Sequence, residues 1–86
     1  MKKEMFIDIE KASFDKLVNT IYKIVAKKMV KMCNHQTRNG KINIFILDCG
    51  MIEIHEILSK NKNYIIITIR DNELMKELET IDILRI

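Results

Sequence analysis

The sequence predicts an α+β fold: a compact single domain with one sheet of about four strands, packed with two or three helices in the order β-α-β-α-β-α-β. Three observations carry this. The chain has 86 residues, room for one domain, and it contains no proline. From Phe14 onward, apolar residues recur at the 3.6-residue spacing of a helix with one buried stripe. Ile42 to Leu47 and Tyr64 to Arg70 are isoleucine-rich runs bounded by Asp, Asn or Gly, as strands are.

The elements follow in order. Met5 to Ile9 alternates Phe6 and Asp8 against Ile7 and Ile9, which predicts a short strand. Ser13 is placed to cap a helix, and Asp15 in its first turn complements the positive end of the dipole. Phe14, Leu17, Val18, Ile21, Val25, Met29 and Met32 extend its apolar stripe to about Cys33. Asn34 to Lys41 reads as a loop with Asn39-Gly40 as its turn signal. Ile42 to Leu47 is the clearest strand and stops at Asp48-Cys49-Gly50. Met51 to Lys60 fits two periods. Met51, Ile54, Ile57 and Leu58 share a helical face, while Ile52-Glu53-Ile54-His55 alternates as a strand does. The helix is the reading adopted, because it gives crossovers that cover the sheet. The strand reading instead makes a meander with a hairpin at Asp48 to Gly50. After the strand Tyr64 to Arg70, Asp71 or Asn72 caps a short helix to about Glu79, and Ile81 to Ile86 closes the chain as a strand.

Charge is unevenly distributed. Between Lys16 and Lys41 there is no Asp or Glu, and seven positive side chains stand there: Lys16, Lys23, Lys27, Lys28, Lys31, Arg38 and Lys41. Both flanks are mildly acidic, so the net charge of +3 understates the local field. On a helix reaching Cys33, Lys16, Lys23, Lys27 and Lys31 fall within a sector of about 80°, opposite Phe14 and Met32. Arg38 and Lys41 extend this ridge. A solvated helix face is the bland account of it; an anion-binding ridge is the functional one. Lysine without arginine favours general electrostatic contact over planar bidentate readout. The partner expected is an acidic protein surface, with nucleic acid as the alternative. The aromatic stacking pairs, zinc-finger spacing and helix-turn-helix glycine of nucleic-acid readers are missing. A membrane partner is not expected, because the apolar face of the helix is needed for the core. A homodimer through an edge strand is compatible with the pattern.

Chemistry is sparsely signalled. Cys33, His35, Cys49 and His55 have the residue types of a zinc site, but not the paired C-x₂₋₄-C and H-x₃₋₅-H spacing, so no metal or other cofactor is expected. Cys49, at a strand end before an expected helix, is the candidate for a thiol enzyme. Cysteine phosphatases place an arginine six residues later; here His55 stands there, with Glu53 in between to repel phosphate. Phosphate-cradling glycine loops and serine-nucleophile motifs are lacking. Met1-Lys2-Lys3 is followed by Glu4 and then by too short an apolar stretch for a leader, and no apolar run approaches the roughly 18 residues of a membrane span. A reducing, cytoplasmic setting is therefore expected. The expected function is that of a non-catalytic binding protein, a regulator or inhibitor of the mobile-element or phage type.

From Ile42 onward, the order strand, Asp48, helix, strand Tyr64 to Arg70, helix Asn72 to Glu79 and isoleucine-rich terminal strand is similar to the second half of a STAS domain. The resemblance implies a sheet with helices between its strands. It stops short of membership. Asp48-Cys49-Gly50-Met51 stands where that family carries a phospho-acceptor serine loop, and the basic helix comes too early.

Overall fold

A computed structural model of the chain describes residues 3–8, 13–48, 50–60 and 63–70. Strand β1 (Lys3–Asp8) is followed by helix α1 (Phe14–Val25), which tightens into a single 3₁₀ turn at Ala26–Lys28. Four strands then run as a meander: β2 (Met29–Thr37), β3 (Gly40–Leu47), β4 (Gly50–Leu58) and β5 (Asn63–Ile69). The five strands form one sheet in the order β1-β5-β4-β3-β2, every pair antiparallel. Among the described residues β1 and β2 are its two edges, and α1 stands between them in sequence.

Alternation explains the core. Ile65, Ile67 and Ile69 of β5, Ile52 and Ile54 of β4, and Phe45 and Leu47 of β3 all point to one face and are buried. Register stacks them across the sheet: Phe45 opposes Ile52, Ile52 opposes Ile69, and Ile54 opposes Ile67. Helix α1 closes that face with Phe14, Leu17, Ile21 and Val25. Each fully buried Leu or Ile side chain contributes about 1.5–3 kcal/mol, so this small helix–sheet sandwich holds the fold.

The β-α-β-α-β-α-β order is corrected: the described residues contain one α-helix on an antiparallel meander, broadly α+β. Met51 to Lys60 is mainly strand, not helix. Its backbone pairs with β3 on one side and β5 on the other, and Ile52 and Ile54 both reach the core. A helix would have put only one of those two on its Met51–Ile54–Leu58 stripe. The strand–helix–strand pattern shared with STAS domains is therefore not present over Ile42 to Arg70.

Helix α1 also ends eight residues earlier than its spacing suggested, at Val25 rather than Cys33. Continuation would have stacked Lys23, Lys27 and Lys31 at i, i+4, which weakens a helix. The exposed edge of β3 offers the backbone a ladder instead, and the turn is fastened where the Asp48 amide donates to the Lys28 carbonyl at 3.1 Å. A register shift between Met29 and Lys31 marks a bulge at Val30. It lets both Met29, which packs on the core, and Met32, opposite Phe45, sit on the helix-covered face. The loop expected from Asn34 to Lys41 shrinks to the turn Arg38-Asn39 between paired Thr37 and Gly40. The helix expected from Asn72 to Glu79 and the strand from Ile81 to Ile86 lie outside the described residues.

Candidate functional site

The fold redistributes the basic residues. Lys16 and Lys23 are exposed on α1, and Lys27 is exposed on the 3₁₀ turn. Lys31 leaves the helical ridge, because the helix ends before it. It stands on β2 opposite Ile46, on the sheet face turned away from α1. Arg38 is exposed at the β2–β3 turn. Lys41, on β3, lies 3.9 Å from the Asp15 carboxylate, a solvent-exposed pair of small energetic weight. Among the described residues, Lys16, Lys23, Lys27, Lys31 and Arg38 have no ion-pair partner. Their charge therefore lies along α1 and brackets β2: Lys27 precedes the strand, Lys31 is within it, and Arg38 follows it.

Among the described residues the sheet between α1 and β2 is uncovered, and a groove of about 680 Å³ opens there. One wall is α1, with the apolar Phe14, Val18 and Tyr22 beside the acidic Asp15, and the other is Met32, Asn34 and Gln36 of β2. Tyr22 leans on Phe45 with ring centroids 6.4 Å apart, so the apolar wall is anchored to the core. Gln36 is held by its Nε2, which donates to the carbonyls of Gly40 at 3.0 Å and Thr37 at 3.2 Å.

Asn43 lines this groove from β3 and is 2% exposed. Its Nδ2 donates to Oδ1 of Asn34, while its own Oδ1 is buried without a hydrogen-bond partner among the described residues. An orphaned buried acceptor costs about 1–3 kcal/mol. Asn43 shares its parity with Phe45 and Leu47, so a hydrophobic residue belongs there on packing grounds. That polar residue at a core parity was legible in Asn43-Ile44-Phe45-Ile46-Leu47 once the strand was recognised, yet charge and motif reasoning passed over it.

The opposite sheet face carries the other reactive side chains. Cys33 and His35 on β2 oppose Ile44 and Ile42 on β3, and those isoleucines in turn oppose Glu53 and His55 on β4. A strand of isoleucine thus separates the β2 thiol and imidazole from the β4 groups. Nδ1 of His55 lies 4.0 Å from Glu53 Oε1. Among the described residues no three His, Cys, Asp or Glu side chains converge as a metal site. Cys49 lies outside the described residues, but the segment after it is strand β4, so the helix N-terminus invoked to activate its thiol is not there.

No known protein family, no curated protein and no solved structure matches this chain. No helix among the described residues is long and apolar enough to cross a membrane.

Proposed function

We propose that this protein is a small non-catalytic binding protein, a regulator or inhibitor, that docks its lysine-rich surface on an acidic partner protein. The observation that carries the reading is the exposed series Lys16, Lys23 and Lys27 on α1 and its 3₁₀ turn, without an acidic partner among the described residues. Lys31, Arg38 and Lys41 enlarge the surface around β2 and β3. Unpaired surface lysines steer association with an anionic surface, and their effect weakens with salt as screening shortens their reach. Nucleic acid is the other polyanion that such a surface attracts, and the experiment separates the two.

The wild type and the K16E/K23E/K27E variant serve as parallel baits in extract of the source cell, each with and without nuclease. A protein held by the wild type after nuclease, and lost with the variant, supports the reading. Retention that disappears with nuclease assigns the surface to nucleic acid. A partner held equally by both baits removes the three lysines from the interface.

A further inference from the structure

We infer that Asn39 is a modification site: its side-chain amide is lost through attack by the backbone nitrogen of Gly40, and the aspartate or isoaspartate formed places a negative charge at the tip of the β2–β3 hairpin. The reaction itself does not depend on what the protein binds. Its effect on docking rests on the acidic partner proposed above.

Three observations converge on this turn. The first is the pair itself. Asn39-Gly40 is the one Asn-Gly step in the chain; the other asparagines precede Thr20, His35, Ile44, Lys62, Tyr64 and Glu73. Those residues carry a β-carbon that crowds the attacking nitrogen, and glycine has none.

The second observation is place. Asn39 is exposed in the two-residue turn between Thr37 and Gly40, and its side chain has no hydrogen-bond partner among the described residues. It is therefore free to fold back on its own backbone. Asn34 and Asn43 are the contrast, since each holds the other's side chain and Asn43 is buried. Gly40 closes the β2–β3 ladder opposite Thr37, so its nitrogen attacks when the tip opens. Opening the end of a hairpin requires far less free energy than global unfolding.

The third observation is the peptide group that attacks. As the Gly40 nitrogen loses its proton, negative charge spreads onto the Asn39 carbonyl oxygen. The Leu58 amide already donates to that oxygen at 2.7 Å. A donor fixed where charge develops stabilises it. Arg38, next in the chain and without an ion-pair partner among the described residues, adds a favourable field.

The chemistry balances with water alone. The Gly40 nitrogen bonds to Cγ of Asn39, the Cγ–Nδ2 bond breaks, and the amide nitrogen leaves as ammonia with the proton that Gly40 gave up. The product is a five-membered imide. Water then opens one of its two carbonyl–nitrogen bonds. Cleavage at Cγ gives aspartate; cleavage at the main-chain carbonyl gives isoaspartate, with the backbone rerouted through the side chain. Either product gives the stretch from Lys16 to Lys41 its first acid, beside Arg38. Isoaspartate also lengthens the backbone just before Gly40, which is seated tightly against Glu56.

The test incubates the full chain in warm, mildly alkaline buffer, folded and in urea, and maps each asparagine by peptide mass spectrometry that separates aspartate from isoaspartate. Asn39 is expected to convert before any other asparagine in the folded protein. Asn39→Gln, whose longer side chain must close a larger ring, should stay unmodified over the same period. Aged wild type should develop a cation-exchange peak that coincides with Asn39→Asp. With a polyglutamate peptide as probe, Asn39→Asp should bind about twofold to fivefold more weakly than fresh wild type, the effect of one exposed charge.

Conversion of Asn39 in urea but not in the folded protein overturns the inference, because the turn then protects the pair. Earlier conversion of another asparagine in the folded protein overturns it as well. Conversion at Asn39 with unchanged probe binding by Asn39→Asp upholds the modification site and removes the turn from the docking surface. Failure of fresh wild type to bind the probe at all counts against the acidic-partner reading and leaves the modification site standing.

Discussion

Gly40 lies against the backbone of Glu56 so closely that a β-carbon on Gly40 would stand 2.1 Å from the Glu56 carbonyl oxygen. Its φ of +146° is one that L side chains rarely adopt. The same place is where the β2–β3 turn is bolted to the neighbouring strand, since the Leu58 amide donates to the Asn39 carbonyl at 2.7 Å, while within the turn the Thr37 hydroxyl donates to the Gly40 carbonyl at 2.9 Å. Two strictures, conformational and steric, therefore fall on one residue next to the open groove.

Gly40→Ala should destabilise the protein by about 2 kcal/mol or more, since the strained φ and the clash with backbone both act and neither can be relieved by a side-chain rotation. The change at Asn39, Asn39→Ala, should cost well under about 1 kcal/mol, because its exposed side chain is not used by the turn. Urea titrations followed by circular dichroism measure both. Equal stability of Gly40→Ala and the wild type would contradict the packing at Glu56.

Asn43→Leu should stabilise the free protein by about 1 kcal/mol. The substitution removes a buried acceptor that has no partner and fills similar volume with apolar atoms, while the exposed Asn34 turns to water. A raised denaturation midpoint in urea checks this. A loss of stability greater than about 1 kcal/mol would give Asn43 a structural role instead.

The K16E/K23E/K27E variant should fold normally. All three side chains are exposed, so no core contact changes. Glutamate at positions 23 and 27 sits badly against the negative end of the α1 dipole, while glutamate at 16 near its start is favourable, for a net cost of about 1 kcal/mol at most. Far-ultraviolet circular dichroism and the thermal midpoint check this. Aggregation of the variant would show that one of these lysines packs against the fold.

Leu17→Ala should cost about 2–5 kcal/mol, the range for emptying a fully buried leucine site, and should release α1 before the sheet melts. Amide exchange resolved along the chain distinguishes the two events: α1 protection falls first if Leu17 fastens the helix to the sheet. Uniform loss of protection throughout would mean that helix and sheet open as one unit.

Cys33→Ala and Cys49→Ala should each retain the fold and partner binding, and a chelator should leave the thermal midpoint where it was. Cys33 is separated from Glu53 by Ile44 in register, which leaves it no nearby second ligand across the sheet. Elemental analysis giving about one metal ion per chain would overturn this, since a structural metal couples directly to folding.

Part of this molecule is written in short-range pattern. The start of α1 at Phe14, its buried stripe Phe14, Leu17, Ile21 and Val25, and the strands around Ile42 to Leu47 and Tyr64 to Ile69 follow from periods that the chain displays locally. So does the bias of charge between Lys16 and Lys41, which composition alone reveals. Other features depended on neighbours far along the chain. Met29 and Met32 keep helical spacing with Val25, yet the open ladder of β3 drew that segment into β2 and carried Lys31 to the opposite face. Ile52-Glu53-Ile54 fits helix and strand alike, and pairing on both sides by β3 and β5 decided for strand. Among the described residues, the groove exists because α1 packs on β3 and β4 more than on β2. Periodicity fixes which face of a segment turns inward. The partner that face meets, and the polar atom left without one, are settled only when the backbone ladders close.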